Sequence, residues 1–478
     1  MAAKTTLNAK NLEALGAPRL AELLIEISTG SAANKRRLRM ELAGNHSSAE
    51  VAREVRKRLA SIARSRTFIN WRKVKGLKTD LETQRKTIVD VVARDDPKEA
   101  LELIWQFLAL ADPVFERSDD GSGSIIESFH DACADAGAIA KSSGVEKDAL
   151  ADKIFAAVLN NGYGQYDPLI AVMAPALGGD GLERLKLLFG QWSKEPEDKV
   201  AKSDRRVIGW SSNGPIYEDQ VYGNHQELLV RIALQEIADA QGDVDAYIAQ
   251  QPEKTRRSPL VATDITRRLL SAGRAAEALE ILDAIDERGH ADTPIEWQLA
   301  RTEVLETLGR ADEAQTDRWK WFEHSLNDVH LRAFIRRLPD FDDMEAEEKA
   351  FAYAQAFPEV HRALTFFLCW PAIGEAARLV LKRKAELDGD LYELMTAAAD
   401  ALAQKHPLAA TIVLRSMIDF TLDRARSSRN RYAAQHLMAC ASLAPHVDDF
   451  GSVESHHAYV AGLKDRHGKK HGFWSLIT

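Results

Sequence analysis

Residues 273–278 read Gly-Arg-Ala-Ala-Glu-Ala, and residues 309–314 read Gly-Arg-Ala-Asp-Glu-Ala, 36 residues further along the chain. A repeat of this length is typical of one helical hairpin, and stacked hairpins form an α-solenoid. In each copy, a first helix is expected to end at the glycine, which takes the positive-φ turn position without steric cost. A second helix then begins with Ala-x-Glu-Ala. We therefore predict two stacked helix pairs over residues 259–323, with Gly273 and Gly309 at equivalent turns.

The composition favours helix throughout the chain. Of its 478 residues, 45% are hydrophobic and 28% are charged, which is ordinary for a folded protein. Alanine, leucine, glutamate and arginine dominate, and no alternating apolar pattern bounded by turn residues predicts a strand. The predicted fold class is all-α, with a helical-hairpin α-solenoid preceded by a basic N-terminal helical domain.

A chain of this length exceeds one compact core, so several domains are expected. Turn-forming residues interrupt the helical pattern over residues 194–224, which we interpret as a hinge or a partner-contact loop. The sequence predicts a basic N-terminal helical region at residues 1–90 and a helical domain at residues 91–193. The irregular loop follows at residues 194–224, and the α-solenoid with its basic C-terminal cap occupies residues 225–478.

Charge is unevenly distributed along the chain. Residues 31–86 contain 16 lysines and arginines against five acidic residues, whereas the whole chain has a net charge of −9. The remainder of the chain therefore carries −20. Such a split indicates a polyanion as partner, with nucleic acid the first choice. The alternative is that these cations pair with the acidic remainder of the chain, within one molecule or across a dimer.

The clearest helix in this basic segment begins after a serine cap at Ser47 or Ser48. Its apolar residues form one stripe, Val51, Val55, Leu59 and Ile62. At 100° per residue, Arg53, Lys57 and Arg64 fall on the opposite face and are expected to point into solvent. The candidate polyanion-binding residues are Arg36, Arg37, Arg39, Arg53, Arg56, Lys57, Arg64, Arg66, Arg72 and Lys73.

Aromatic residues lie among these cations. Phe68, Ile69 and Trp71 precede Arg72 and Lys73, and aromatic side chains interleaved with cations are compatible with nucleic-acid contact. They are equally compatible with a tryptophan that anchors a helix to the core. We favour this second interpretation for Trp71.

The sequence predicts no metal site and no cofactor. Cys133, Cys369 and Cys440 are far apart, so they form no Cys-x-x-Cys pair and are expected to be reduced core residues. His467 and His471 are four residues apart and would share a helix face, a spacing that can ligate zinc. Neighbouring lysines and arginines oppose a cation there, and no third ligand has suitable spacing.

No recognised catalytic motif occurs in the structural context that it requires. The motifs considered include the nucleophile elbow, the phosphate-binding loop and the dinucleotide-binding fingerprint. The N-terminus lacks the pattern of a signal peptide, and no apolar run approaches the roughly 20 residues that span a bilayer. We therefore expect a cytoplasmic protein that does not contact membranes.

Two family resemblances follow from longer stretches. Residues 406–411 and 415–418 read His-Pro-Leu-Ala-Ala-Thr and Arg-Ser-Met-Ile, and residues 459–474 form a basic tail that ends in Phe-Trp. Together with residues 71–73 and 80–85, they resemble a bacterial family of all-helical proteins of unknown function. The tail is also similar to the helical region that follows the zinc finger in bacterial SWIM zinc-finger proteins. This chain has no Cys-x-Cys, so neither zinc nor a DNA-related role is carried over.

The repeat over residues 259–323 resembles tetratricopeptide units in its length and its turn. Such solenoids present extended surfaces to partners. The sequence thus favours a non-catalytic binding or scaffold protein with a protein partner, and with nucleic-acid contact through the basic segment. The alternative is an enzyme whose site lies between the N-terminal domain and the solenoid.

Overall fold

The structure is a computed structural model that describes residues 7–30, 34–35, 38, 47–195, 207–211, 214–217, 225–285 and 293–477. Helices occupy most of this part of the chain, so the all-α prediction is confirmed. The chain divides into two compact units, Met1–Thr255 and Arg256–Thr478.

The described residues of the first unit are mainly helical and include one short antiparallel hairpin. A π-helical segment, Ile88–Val92, and a final short turn, Ala93–Asp95, extend helix Trp71–Thr87. Its α-helices are Ala9–Glu13, Ala17–Ser28, Ser48–Ala63, Trp71–Thr87, Pro97–Leu108, Ala111–Phe115, Ser124–Ser143, Lys147–Leu159, Leu169–Trp192, His225–Gln241, Val244–Gln250 and Glu253–Arg256, the last of which reaches the unit boundary.

Local capping chemistry explains where two of these helices begin. The Ser47 hydroxyl accepts a hydrogen bond from the Glu50 amide at 3.2 Å. The Asp96 carboxylate accepts one from the Glu99 amide at 2.9 Å, with Pro97 in the first turn. Both arrangements satisfy an amide that the helix itself leaves without an acceptor. The helix Pro97–Leu108 that follows Asp96 is buried over most of its length.

A close helix crossing organises the core of this unit. Helix Ser124–Ser143 packs against helix Leu169–Trp192, and Gly137 lies at the contact. An added Cβ at Gly137 would lie 2.3 Å from the Val172 carbonyl oxygen. Glycine is therefore the residue that permits this backbone approach.

Two strands lie within the stretch predicted to be irregular. Val207–Ser211 pairs antiparallel with Gly214–Tyr217. The sequence analysis predicted no strand, because each run is too short to show an alternating pattern. The β-branched and aromatic residues Val207, Ile208, Ile216 and Tyr217 favour the extended conformation once the two runs pair.

The described part of the second unit is a succession of helices. Single 3₁₀ turns lie at Lys384–Glu386, Ser427–Arg429 and Ala444–His446. Its α-helices are Pro259–Ser271, Ala275–Asp283, Ile295–Thr307, Ala311–Ser325, Asp328–Ile335, Asp342–Ala356, Val360–Cys369, Ile373–Lys382, Tyr392–Ala403, Pro407–Asp423, Asn430–Leu443, His456–His467 and His471–Trp474.

The repeated phrase forms the same turn twice. Gly273 and Gly309 lie between helices with φ of +73° and +74°. The amide that follows each glycine donates to a leucine carbonyl five residues back, from Arg274 to Leu269 and from Arg310 to Leu305, both at 2.8 Å. This bond is typical of a Schellman helix end. Helix Pro259–Ser271 also contacts helix Ile295–Thr307, the first helix of the next pair, as in stacked helical hairpins.

We expect Gly309→Val to lower the free energy of unfolding of the second unit by about 2 kcal/mol, because a β-branched residue tolerates positive φ poorly. Urea denaturation followed by circular dichroism measures the change. Gly374→Ala is the matched control, since Gly374 lies in a helix with no atom within 4 Å of an added Cβ. Alanine there should leave stability unchanged or raise it by up to about 1 kcal/mol. Equal stability of Gly309→Val and the wild type would contradict the turn assignment.

Candidate functional site

The basic helix Ser48–Ala63 separates apolar from charged residues as its sequence pattern predicts. The apolar stripe is buried, and the sides of the helix that face away from it carry exposed cations. The buried residues are Val51, Val55, Leu59 and Ile62. The exposed cations on or next to this helix are Arg53, Arg56, Lys57, Arg64 and Arg66.

Some of these cations are paired and others are not. Lys57 Nζ lies 2.6 Å from Glu54 Oε1, and Arg56 pairs with Glu99. Exposed pairs of this kind hold their partners weakly. In the described ranges, no carboxylate lies within ion-pair distance of Arg53, Arg66 or Lys73, and each of these side chains is exposed. Arg36, Arg37 and Arg39 lie outside the described residues.

The anchoring role expected for Trp71 is wrong. Trp71 is 68% exposed and Phe68 is 64% exposed. Ile69 anchors this segment instead. Its amide donates to the Arg117 carbonyl at 2.8 Å, and its carbonyl accepts from the Asp119 amide at 2.9 Å. The Ile69 side chain packs on the core. Because Ile69 supplies the contact, the aromatic rings on either side of it remain in solvent.

Cations accompany the exposed rings. The Arg72 guanidinium carbon lies 5.0 Å from the centroid of the Trp71 ring, a distance suited to cation–π attraction. Lys73 follows on the same helix and is exposed. We define the basic–aromatic surface as Arg53, Lys57, Arg64, Arg66, Phe68, Trp71, Arg72 and Lys73.

A second candidate region joins the two stretches that carry the family resemblance. Tyr459 Oη, near the start of the basic tail, donates to Asp419 Oδ1 at 3.1 Å. Arg466 Nη2 donates to the same oxygen at 3.2 Å, and Lys470 Nζ donates to the Leu422 carbonyl at 2.6 Å. Polar contacts therefore hold the tail against the C-terminal end of helix Pro407–Asp423.

Burial perturbs the titratable groups of this region. It raises the pKa of the Asp419 carboxyl, against the opposing effect of Arg466 and Tyr459. It also raises the pKa of the Cys440 thiol to about 12, so that the thiol is neutral. The pKa of the Tyr459 hydroxyl is raised for the same reason. Arg415 lies among these groups on the same helix as Asp419, one turn earlier, and sequence reasoning assigned it no role.

The expected pairing of His467 with His471 on one helix face is wrong. His467 ends helix His456–His467, and His471 begins the separate helix His471–Trp474. His467 Nε2 instead lies 2.9 Å from Asp423 Oδ1. Gly468 and the residues after it break the helical spacing. Across the described part of the chain, no three His, Cys, Asp or Glu side chains are grouped as a metal-binding site.

The repeat turns contain an ion pair that sequence reasoning missed. Arg274 Nε and Nη2 donate to the two carboxylate oxygens of Glu277 at 2.7 and 2.6 Å. Arg310 and Glu313 repeat this bidentate contact at 2.6 Å for both bonds. The shared Gly-Arg-x-x-Glu-Ala spacing is the signal, since it places arginine and glutamate three residues apart at a helix start.

A family described as "Family of unknown function (DUF6880)" matches residues 2–476. The chain belongs to this family. The match spans both units, so the basic–aromatic surface and the region around Asp419 both lie within the part that defines the family. No curated protein matches the chain. Within the described ranges, no helix of this family member is both long and apolar enough to cross a lipid bilayer.

Proposed function

We propose that this protein is a non-catalytic, cytoplasmic binding protein that holds single-stranded nucleic acid on its basic–aromatic surface. The single observation that supports this is the exposure of Phe68 and Trp71 beside Arg66, Arg72 and Lys73, which have no carboxylate partner in the described ranges. Every base offers a flat face to an aromatic ring, and phosphates attract the cations whatever the sequence.

A duplex offers its phosphates but keeps its bases stacked. The exposed rings therefore favour a single strand over a duplex. Cations alone would give no such preference, because they contact only the backbone.

The scaffold part of the proposal concerns the second unit. Its helical hairpins resemble those that other repeat proteins use to hold a protein partner. The similarity of the C-terminal tail to SWIM zinc-finger proteins remains a hypothesis, and the nucleic-acid proposal does not depend on it.

The test is fluorescence anisotropy with a labelled mixed-sequence single strand and its duplex. We expect Arg53→Glu, Lys57→Glu and Arg64→Glu together to weaken single-strand binding at least about 100-fold and to lower the log–log salt slope by about 2, because three phosphate contacts are lost. Phe68→Ala with Trp71→Ala should weaken binding of the single strand more than binding of the duplex.

The matched control changes charge by the same amount elsewhere. Lys382→Glu, Lys405→Glu and Arg431→Glu replace three exposed cations of the second unit and should leave binding close to that of the wild type. A flat titration of the wild type at low salt would overturn the proposal. So would equal weakening by the two triple variants, because the interaction would then depend on net charge alone.

A further inference from the structure

Arg415 is a buried cation whose charge has no carboxylate partner among the described residues. Its side chain lies on helix Pro407–Asp423, and the residue is 6% exposed. Nη1 donates to the Glu454 carbonyl at 2.7 Å, and the guanidinium carbon lies 4.3 Å from the centroid of the Tyr459 ring. Nε and Nη2 are buried and find no hydrogen-bond acceptor in the described part of the chain.

The groups around the guanidinium do not supply a negative charge. The Cys440 thiol lies beside it but is neutral, since burial raises its pKa. Burial and the positive charge of Arg415 lower the pKa of His456, which is thus neutral as well. Asp419 directs its Oδ1 to Tyr459 and Arg466 rather than to Arg415. A buried charge without a partner is unfavourable and calls for an explanation.

Two other arginines of this chain show which group binds the Nε–Nη2 edge of a guanidinium. In Arg274 and Arg310, Nε and Nη2 together grip both oxygens of a glutamate. These two donors form the planar fork that matches carboxylate and phosphate groups. Arg415 has the same fork, and no carboxylate of the described residues occupies it.

Arg415 also lines a cavity of about 510 Å³, a volume within the range of small-molecule sites. Tyr459, Asp419 and Ser416 form part of its wall, and Lys384 lies at the edge, where its Nζ donates to Ser452 Oγ at 3.2 Å. Gly389 completes the wall: an added Cβ there would lie 2.2 Å from the Ser416 carbonyl oxygen.

The acidic groups of the cavity are already engaged or face solvent. Asp419 pairs with Arg466, Asp388 accepts from the Asp390 amide at 2.9 Å, and Glu454 is exposed. Arg415 and Lys384 are the cations that line it. We propose that this cavity binds a small molecule through an oxyanion, a carboxylate or phosphate group, held on the Nε–Nη2 fork of Arg415.

The test uses the full chain, with inorganic phosphate and succinate as probes and chloride at matched ionic strength as the reference. Titration calorimetry and thermal unfolding measure binding. We expect saturable binding by the wild type and a rise in Tm with at least one probe. Arg415→Lys keeps the charge but loses the fork, so its affinity should fall at least about tenfold. Arg415→Met should abolish binding.

Two further variants keep the test decisive if the Arg415 variants unfold. Lys384→Ala changes an exposed residue at the cavity edge and should weaken binding several-fold. Arg429→Met removes a half-buried arginine that pairs with Asp390 and should bind as the wild type does. Absence of saturable binding by the wild type would overturn the proposal, as would unchanged affinity in a folded Arg415→Met protein. If the probe raised the Tm of Lys384→Ala and of Arg429→Met as much as that of the wild type, the rise would be an unspecific salt effect. That result would also contradict the proposal.

Discussion

Gly137→Ala should lower the free energy of unfolding of the first unit by about 3 kcal/mol or more, although it adds a single methyl group. The added Cβ would lie 2.3 Å from the Val172 carbonyl oxygen and 2.9 Å from its carbonyl carbon. Both atoms belong to the backbone of helix Leu169–Trp192, so no side chain can rotate away. The steric overlap can be relieved only if the two helices separate, and this separation opens the core along their contact.

Chemical denaturation followed by circular dichroism measures this change. Gly76→Ala is the control, because Gly76 is also in mid-helix but is exposed, with no atom within 4 Å of an added Cβ. Alanine favours helix over glycine, so that substitution should raise stability by about 1 kcal/mol. The two changes are chemically identical and should have opposite signs. Stabilisation by both would show that the helices do not approach as closely as the structure describes.

The second large effect is the loss of stability at acid pH that arises from His330. This histidine is fully buried, its Nε2 donates to Gln298 Oε1 at 2.7 Å, and its ring lies 5.3 Å from that of Trp321. Burial, assisted by Arg318, lowers its pKa from 6.5 to about 4. Between about pH 4 and pH 6.5 the imidazole is therefore neutral in the folded state but protonated in the unfolded chain.

Above about pH 6.5 the imidazole is neutral in both the folded and the unfolded state, so burying it costs no free energy of deprotonation and stability is at its full value. As the pH falls from 6.5 to 4, the unfolded chain gains the proton first, and stability drops by about 3 kcal/mol. His330→Gln is neutral at every pH and can still donate to Gln298. Its free energy of unfolding should fall less steeply than that of the wild type across this range.

Urea titrations at a series of pH values, read by tryptophan fluorescence, measure the difference between wild type and variant. Leu331→Ala is the control, since it removes a buried neighbour on the same helix but leaves the imidazole in place. Its stability should be lower than that of the wild type, with a parallel pH dependence. Parallel profiles for His330→Gln and the wild type would contradict the pKa assigned to His330.

The features that sequence reasoning predicted correctly depend on residues close together in the chain. The cap at Ser47 and the buried stripe of its helix involve residues within a few turns of one another. Hydrophobic periodicity and capping report local geometry directly, so the all-α class could be inferred without coordinates.

The features that sequence reasoning missed depend on distant parts of the chain. Trp71 is exposed because Ile69 pairs with residues near Arg117, about 50 positions away. Arg415 gains its significance from Tyr459 and Cys440, which belong to two other helices. Neither relation leaves a periodic trace in the sequence, since each is created by tertiary packing.

The basic–aromatic surface is an intermediate case. Its cations were expected on the solvent side of their helix, and Arg53, Lys57 and Arg64 are exposed. The orientation of Trp71 was the part that required coordinates.

The repeat turns at Gly273 and Gly309 also have a kinetic consequence. The hydrogen bonds described above for them join residues at most five positions apart, and each ion pair joins residues three apart. Contacts of such short range close within microseconds, long before distant helices meet. Each six-residue phrase, with the helix end before it, thus encodes a turn that can form as the nascent chain leaves the ribosome, independently of the sequence still to be synthesised.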